Sequence, residues 1–337
     1  MRALPFGGAA LAASLVIGGA SAGTLDNVKQ NGFLKCGTHT GLAGFAQPDD
    51  KGVWKGFDVD YCRAVAAAIF NDPNKVKFIP LSAKDRFTAL QSGDADMLAR
   101  NSTWTMARDT SLGFNFVGVS YYDGQGFMVH RKLAVKSAKE LNGATICTEQ
   151  GTTTELNLAD FFRANNQKYE LVTFAGSEET IKAYESGRCD AYTTDASAIY
   201  GQRLRLAKPD EHVVMPELIS KEPLGPVVRH GDDQWFDIVK WTHFALVNAE
   251  ELGITQANVD RMKESDNPEV KRLLGTEGKF GESIGLTNDW VVRIVKAVGN
   301  YGEVFENNFG EKTPLKVKRG ANELWNKGGL QYAPPVR

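Results

Sequence analysis

The sequence predicts an α/β protein of two lobes, each a mostly parallel sheet flanked by helices. The chain contains a strand–helix–strand unit twice. Each copy carries the motif Ser-Gly-x-x-Asp with the same spacing, at residues 92–96 and at 186–190. Alternating strand and helix patterns are typical of parallel sheets with helices on both faces. Two extended stretches, residues 126–131 and 224–229, are suited to carry the chain from one lobe to the other and back.

The first 22 residues differ in kind from the rest. Arg2 is followed by an apolar run of small residues at 9–20 and by Ala-Ser-Ala at 20–22, a small-x-small cleavage site. The run is too short for a spanning helix, and no later stretch reaches the about 18 apolar residues that one needs. We therefore expect residues 1–22 to be a signal peptide and the rest of the chain to be exported.

The composition is ordinary for a soluble globular protein. Of 337 residues, 42% are hydrophobic and 24% are charged, which is enough apolar material for a sizeable core. The formal net charge of −2 gives no excess of basic residues for nucleic acid or an anionic membrane, so neither is expected as a partner.

Four cysteines come after the predicted signal peptide, and an exported chain is where disulfides form. They are Cys36, Cys62, Cys147 and Cys189. Two fall early and two fall in the middle, which favours Cys36 with Cys62 and Cys147 with Cys189; two other connectivities and buried free thiols remain as alternatives. No Cys-x-x-Cys occurs and the five histidines are scattered, so no metal site and no redox motif are expected.

The first elements along the chain are a strand and a helix. A short strand from residue 33 runs into a Gly-rich loop that contains His39. Asp58 is placed to begin a helix whose apolar stripe continues to Phe70, and Asn-Asp-Pro at 71–73 ends it.

The repeated unit comes next. In its first copy a strand at 76–81 leads to a short helix that Gly93 is placed to end. In its second copy a strand at 171–174 leads to a helix that opens at Ser177. The strand–helix–strand frame around both motifs indicates duplicated architecture.

Asn101 and Asp195 occupy the same place in the two copies, because each comes five positions after the final Asp of the motif. Ligands of open α/β sheets bind beyond the carboxyl ends of the strands. Both residues are therefore expected at one site shared by two lobes, which is a cleft.

Two loops near these residues carry the donors that a small anion needs. Residues 100–109, Arg-Asn-Ser-Thr-Trp-Thr-Met-Ala-Arg-Asp, combine small polar side chains with two guanidinium groups; the alternative is a solvated loop. Residues 150–154 read Gln-Gly-Thr-Thr-Thr, where Gly151 permits close approach of the backbone. A helix starting at Thr152 or Thr153 would point free N–H groups at an anion, although threonines are also ordinary helix caps.

These elements predict a division of the chain into five segments. The signal peptide is 1–22, lobe 1 begins with 23–131, lobe 2 is 132–223, the return to lobe 1 is 224–249, and a helical C-terminal extension packed on lobe 1 is 250–337.

Three stretches are specific by their order and spacing. They are Gly-Phe-Asp-Val-Asp-Tyr-Cys-Arg-Ala-Val-Ala-Ala-Ala-Ile at 56–69, Gln-Gly-Thr-Thr at 150–153 and Lys-Glu-Pro-Leu-Gly at 221–225. With the repeated motif they resemble the family 3 extracellular solute-binding proteins, over most of residues 30–245; Tyr61 is a mild departure, because the family favours an aliphatic residue or Phe there. The chain also looks like the general L-amino-acid-binding branch, whose longer C-terminal extension matches the chain after residue 250.

The resemblance implies a two-lobed fold of the type II periplasmic-binding-protein class with two hinge strands. It implies a periplasmic receptor of an ABC importer that captures free L-amino acids by hinge closure and delivers them to the membrane permease. A monomer without cofactor and without enzymatic activity is expected. The alternative from another class is an enzyme on the same fold, such as a cyclic-acid dehydratase, for which only His39 and Asp195 would offer an acid or base.

The resemblance also assigns roles to individual residues. Arg108 matches the carboxylate-clamping Arg and Asp195 the acidic partner of the ammonium, while Thr103 and the Thr152–Thr153 pair match positions that meet the ligand. The alternatives are an Arg108–Asp109 surface pair and a helix N-cap at Asp195.

Three further assignments concern the same loops. Asn101 and Ser102 share the turn with Thr103, and loop capping is the alternative for Ser102. Arg100 has no fixed ligand role in the family.

The side-chain pocket is predicted from the first loop and from two aromatic residues. Relatives that bind cationic side chains place an acidic residue and a Tyr where this chain has His39 and Leu42, so a lysine or arginine receptor is disfavoured. Phe45 and Trp104 are candidate pocket walls, with a place in the core as the alternative for each. Fixed partners for the α-groups and a tolerant wall predict broad L-amino-acid recognition; a narrower receptor for acidic amino acids and their amides is the alternative.

Overall fold

The structure is a computed structural model that describes residues 23–337, so the predicted signal peptide at 1–22 lies outside the described residues. The strands of the described part, in chain order, are β1 (Leu34–His39), β2 (Gln47–Pro48), β3 (Trp54–Lys55), β4 (Val76–Leu81), β5 (Met97–Leu98), β6 (Phe114–Phe116), β7 (Tyr121–Asp123), β8 (Gln125–His130), β9 (Thr145–Glu149), β10 (Glu170–Phe174), β11 (Ala191–Asp195), β12 (His212–Val214), β13 (Glu222–Leu224) and β14 (Val227–Arg229).

The helices end largely where the sequence places their signals, but the helix expected to begin at Asp58 begins at Phe57, with Gly56 as its N-cap. The helix Phe57–Phe70 (α2) stops at Asn71, which has φ +54°, and the helix Arg86–Ser92 (α3) stops at Gly93, which has φ +82°. Both residues are in the left-handed conformation that ends helices. The helices are α1 (Thr24–Asn31), α2 (Phe57–Phe70), α3 (Arg86–Ser92), α4 (Thr153–Ala164), α5 (Ser177–Glu185), α6 (Ala196–Arg203), α7 (Asp233–Glu251), α8 (Val259–Met262), α9 (Pro268–Leu274), α10 (Phe280–Ser283), α11 (Trp290–Val298) and α12 (Tyr301–Asn308). None of these helices is long and apolar enough to cross a membrane.

Two five-stranded sheets define two lobes with the same internal order. The sheet of lobe 1 runs β4-β1-β5-β14-β6 and that of lobe 2 runs β10-β9-β11-β8-β12. In each sheet the first three strands are parallel, and the last two are antiparallel to their neighbours. The two-lobed α/β fold is thus confirmed. Each sheet is mixed by one strand: β8 in lobe 2 and β14 in lobe 1 enter directly from the other lobe and run opposite to the other four strands.

The lobes are joined by an antiparallel pair, β7 with β13. The crossing therefore lies at 121–123 and 222–224, a few residues before the stretches 126–131 and 224–229 that the sequence predicts for it. Those stretches form most of β8 and β14, strands within the lobe 2 and lobe 1 sheets. Their apolar residues are buried among other strands, which is the physical reason that an apolar extended run indicates a sheet strand better than a connector.

Each lobe carries one disulfide, Cys36–Cys62 in lobe 1 and Cys147–Cys189 in lobe 2. This is the pairing that the sequence favours. The first ties β1 to α2, and the second ties β9 to the turn before β11.

The chain after residue 250 packs against lobe 1 and reaches the hinge. Apolar side chains of α11 and α12 share one core with α2 and α7. Beyond these helices, the Asn322 side chain accepts a hydrogen bond from the backbone N–H of Tyr122 (2.7 Å) and donates to its carbonyl (3.1 Å), and Gln331 Nε2 donates to the Val119 carbonyl (3.0 Å). The outer side of hinge strand β7 is thereby held by the extension.

Candidate functional site

A cavity lies between the two lobes, where β5 and β11 end and where α3, α4, α5 and α6 begin. It is the place where open α/β sheets bind ligands. Six predicted site residues line it: His39, Asn101, Thr103, Thr152, Thr153 and Asp195. The duplicated unit therefore brings together residues that are 94 positions apart in the sequence.

Asn101 and Asp195 meet across the cleft. Asn101 Nδ2 donates to Asp195 Oδ2 at 3.2 Å, and Asn101 Oδ1 accepts from Arg100 Nη1 at 2.9 Å. Asn101 has φ +31°, and its backbone N–H donates to buried Asp58 Oδ2 at 2.8 Å. Burial raises the pKa of the Asp58 carboxyl to about 7, while that hydrogen bond and Arg100 lower it. Asn101 is thus fixed by backbone and side chain as a link between lobe 1 and Asp195.

Asp195 ends β11 and stands at the N-cap position of α6, yet its side chain makes no capping hydrogen bond. The residue is 6% exposed. Burial, and then the charges of Asp123 and Glu222, raise the pKa of Asp195 well above its ordinary value. A cation brought to this carboxyl would favour its ionised form and reverse that shift.

The N-terminus of α4 forms another part of the cavity wall. Thr152 is the N-cap and Thr153 the first helical residue, and both line the cavity. Gly151 precedes them with φ +76°, and a Cβ there would lie 3.0 Å from Lys84 Cα of lobe 1. Glycine thus allows lobe 2 to touch lobe 1 at this turn. The free N–H groups of this 12-residue helix suit an anion.

Lobe 1 supplies two buried arginines to the cavity wall, Arg86 and Arg100. Among the described residues, Arg86 Nε and Arg100 Nη2 have no hydrogen-bond partner, and the latter is 4.0 Å from Glu149 Oε2 of lobe 2. Burial lowers the pKa of both guanidinium groups, and for Arg86 the nearby charges of Arg108 and Arg100 lower it further. Each of the two arginines thus lines the cavity and keeps one guanidinium nitrogen that no acceptor of the described residues satisfies.

Sequence reasoning missed Arg86 and set Arg100 aside. The duplicated unit offered the missing signal for Arg86, because it is the first residue of α3 just as Ser177 is the first residue of α5. Both residues line the cavity. Arg100 is hidden by the loop pattern, since its direction is set by contacts with Leu81 and Asn101.

Arg108 lies behind the cavity wall rather than in it. Its Nη1 donates to the Thr103 carbonyl at 2.8 Å. Its guanidinium lies 4.9 Å from the centre of the Phe87 ring, and the Arg86 guanidinium lies at the same distance from that ring. Burial lowers the pKa of Arg108 to about 10, while Glu222 and Asp195 raise it. Arg108 therefore supports the Thr103 backbone, and its part as a carboxylate clamp stays a prediction.

Three more predicted residues lie outside the cavity. Phe45 is buried in an aromatic cluster of lobe 1, with its ring centre 4.9 Å from that of Phe309. Trp104 stacks on Phe116 at 5.7 Å on the hinge side of the molecule. Ser102 donates to the Arg100 carbonyl at 3.0 Å, which is the loop-capping role given as its alternative. Tertiary packing, which the local pattern does not reveal, decides these positions.

His39, Glu149 and Leu42 form a further part of the cavity wall. His39 is buried, and its Nδ1 accepts from the Gly41 N–H at 2.9 Å. Burial and the charges of Arg100 and Arg86 hold the pKa of His39 well below its ordinary value, so the imidazole is neutral. Burial raises the pKa of Glu149, against the effect of Arg100. Leu42 supplies an apolar surface beside them.

The described residues contain no group of three or more His, Cys, Asp or Glu side chains arranged to hold a metal ion.

The matched family agrees with this arrangement. The pattern of the bacterial extracellular solute-binding proteins, family 3, covers residues 34–258. The chain belongs to this family. The family consists of extracellular solute-binding proteins, and the two disulfides of this chain are typical of an oxidising compartment. The protein is therefore periplasmic or extracellular.

Relatives within the family are similar over nearly the whole chain. The general L-amino acid-binding periplasmic protein AapJ of Rhizobium johnstonii is 63% identical over 97% of each chain. The glutamate/glutamine/aspartate/asparagine-binding protein BztA of Rhodobacter capsulatus is 58% identical over 98% of each chain. An ABC transporter periplasmic binding protein from Brucella ovis, solved with glutathione bound, is 64% identical with a TM-score of 0.92, covering 94% of this chain and all of that one.

Proposed function

We propose that the protein is the periplasmic substrate-binding subunit of an ABC importer and captures free L-amino acids by closing its lobes around them. One observation carries the proposal: a single cavity between two lobes holds a buried carboxyl, Asp195, together with a helix N-terminus and two arginines. These are partners for the ammonium and carboxylate of a zwitterion. The names of AapJ and BztA support the same ligand class.

Each α-group of the ligand has a proposed partner. The ammonium binds the Asp195 carboxyl, with Asn101 beside it. The positive charge of the ammonium favours the ionised form of that carboxyl, in a site that excludes water. The α-carboxylate binds the N–H groups at Thr152 and Thr153 and the Thr103 side of the cleft, with Arg108 supplying positive charge from behind Thr103. Charge-assisted hydrogen bonds of this kind are about twice as strong as neutral ones.

The side chain of the ligand points to Arg86 and Arg100. Their unpaired Nε and Nη2 donors suit a carboxylate or amide oxygen, whereas Leu42 and neutral His39 tolerate apolar groups. We therefore expect broad recognition with tightest binding of glutamate, aspartate and their amides. This expectation combines the general L-amino acid binding named for AapJ with the glutamate, glutamine, aspartate and asparagine binding named for BztA.

Export and delivery complete the proposal. Residues 1–22 are removed as a signal peptide, and the closed, liganded form docks on the membrane permease of the importer. Closure commits the ligand because the charged contacts of both lobes form together.

Calorimetry of the exported chain against the twenty L-amino acids tests the function. We expect binding of most of them, tightest for glutamate, aspartate, glutamine and asparagine, and recovery of each ligand chemically unchanged. Absence of binding by all twenty would overturn the function, and binding of a single amino acid would overturn its breadth. Chemical conversion of a bound cyclic acid would favour the dehydratase alternative.

A further inference from the structure

Glu222 is a buried carboxylate at the hinge with four neutral hydrogen-bond donors. It is 2% exposed and lies on β13, the strand by which the chain returns to lobe 1. Its Oε2 accepts from Thr103 Oγ at 2.6 Å and from Thr153 Oγ at 2.9 Å, and its Oε1 accepts from Asn157 Nδ2 at 2.6 Å and Ser220 Oγ at 2.7 Å.

The backbone around Glu222 is fixed to lobe 1. The Trp104 N–H donates to the Pro223 carbonyl at 2.8 Å, and the Gly225 N–H donates to the Ser102 carbonyl at 3.1 Å. Strand β13 therefore moves with residues 102–104 of lobe 1 when the lobes open or close.

The side chain of Glu222, by contrast, holds lobe 2. Thr153 and Asn157 are four residues apart on α4, so they lie on the same face of that helix. Both donate to one carboxylate, which bonds to Thr103 on the other side. The Thr103 and Thr153 oxygens are 3.5 Å apart. Glu222 thus joins the two cleft threonines at one point.

The hydroxyl hydrogens of both threonines are committed to Glu222. Their oxygens can then only accept further hydrogen bonds, which fixes their orientation before any ligand atom arrives. Hydrogen bonds to a charged acceptor are stronger than neutral ones, and in a site closed to water they are not replaced by solvent.

We propose that Glu222 is a positioning residue that latches the closed cleft, holding α4 of lobe 2 against lobe 1 and so slowing the release of ligand. The latch rests on the proposed function, because it acts on ligand that the cleft retains. Since Glu222 does not line the cavity and acts through the threonines, its effect on release is the same for every ligand.

Stopped-flow binding kinetics with L-glutamate and L-alanine test the latch. We expect Glu222→Gln to raise the dissociation rate about tenfold or more for both ligands while the association rate stays within about twofold. An amide keeps the shape but replaces one acceptor oxygen by a donor. Glu217→Gln is the matched control, because Glu217 lies on the same return segment and accepts from the Ala138 N–H within lobe 2.

Asn157→Leu is the second variant, since Asn157 does not line the cavity. It should raise the dissociation rate several-fold, and its effect should largely disappear in the Glu222→Gln background. The latch alone would be overturned if both single variants kept the dissociation rate of the unmodified protein. It would also be overturned if the association rate fell by the same factor as the dissociation rate rose. Failure of the unmodified protein to bind any of the twenty amino acids would overturn the proposed function as well.

Discussion

The two lobes share one strand order and one repeated unit, yet they present opposite charges to the cleft. Lobe 1 contributes Arg86 and Arg100, and lobe 2 contributes Glu149 and Asp195. Both sets are buried, and burial shifts the pKa of each group toward its neutral form. Two lobes of the same architecture thus carry opposite charges. We call Arg86 and Arg100 the basic wall and Glu149 and Asp195 the acidic wall. Each wall can bind the oppositely charged group of a zwitterion.

The lobes also differ in how they are supported. Lobe 1 shares a large core with the helices after residue 250, whereas lobe 2 has a separate small core on each face of its sheet. Lobe 2 is therefore expected to depend more on its disulfide. The chemical difference and the mechanical difference can each be tested.

The largest effect on binding is expected from the acidic wall. Asp195→Asn removes the proposed partner of the ammonium, which should weaken all amino acids by about 3–5 kcal/mol because a charged group is left unpaired in a buried site. Calorimetry measures the loss. Asp210→Asn, at a fully exposed carboxylate of the same lobe, is the control and should bind normally. Normal binding by Asp195→Asn would remove the acidic wall from the account.

The disulfides come next, and their effect is on stability. Loop-closure entropy gives about 4 kcal/mol for Cys147–Cys189, whose cysteines are 42 residues apart, and about 3.5 kcal/mol for Cys36–Cys62, whose cysteines are 26 apart. Double Cys→Ser variants of each pair should both unfold at lower denaturant concentration. We expect the lobe 2 variant to unfold earlier by more than this small difference, because its cores are small. Equal losses would contradict the contrast in support.

The basic wall should affect ligands selectively. Arg86→Met should weaken glutamate and aspartate by about 1.5–3 kcal/mol, the worth of a hydrogen bond to a charged group, and alanine much less. The comparison of the two ligands in one variant is its own control. A uniform loss would show that Arg86 supports the fold of the site rather than the ligand side chain.

A smaller effect is expected from pH. The pKa of Asp195 is raised in the free protein, and an ammonium ligand favours the ionised carboxyl, so binding should release a proton below that raised pKa. Affinity should then fall by up to about tenfold for each pH unit of acidification, and should be flat at higher pH. Titration in buffers of different ionisation enthalpy counts the proton. Proton uptake, or the same release by Asp195→Asn, would contradict the sign.

The smallest effect concerns a residue that the sequence places in the pocket. Trp104 stacks on Phe116 outside the cavity, so Trp104→Phe should change ligand affinity by less than about twofold, because an aromatic ring of similar shape keeps the packing. A tenfold loss measured by calorimetry would return Trp104 to the pocket wall.

The neighbours in space that the sequence predicts correctly are those marked by local periodicity and spacing. Asn101 and Asp195 share a position in two copies of one motif, and the cysteines fall in pairs, so their neighbours in space could be inferred. Phe45 and Arg108 could not be placed, because whether a ring or a guanidinium faces the cavity or the core depends on packing between distant elements. The sequence predicts the first crossing at 126–131 rather than at β7 for a related reason. Strand β7 is short, and its neighbour β8 carries the stronger apolar pattern.

The division of charge between the lobes is tested most directly by a crystal structure of the protein with L-glutamate. We expect the ammonium within about 3 Å of Asp195, the α-carboxylate at the N-terminus of α4, and the side-chain carboxylate on Arg86 and Arg100. A glutamate bound in the reverse sense, with its ammonium at the arginine wall or with Asp195 left without a ligand atom, would contradict the account.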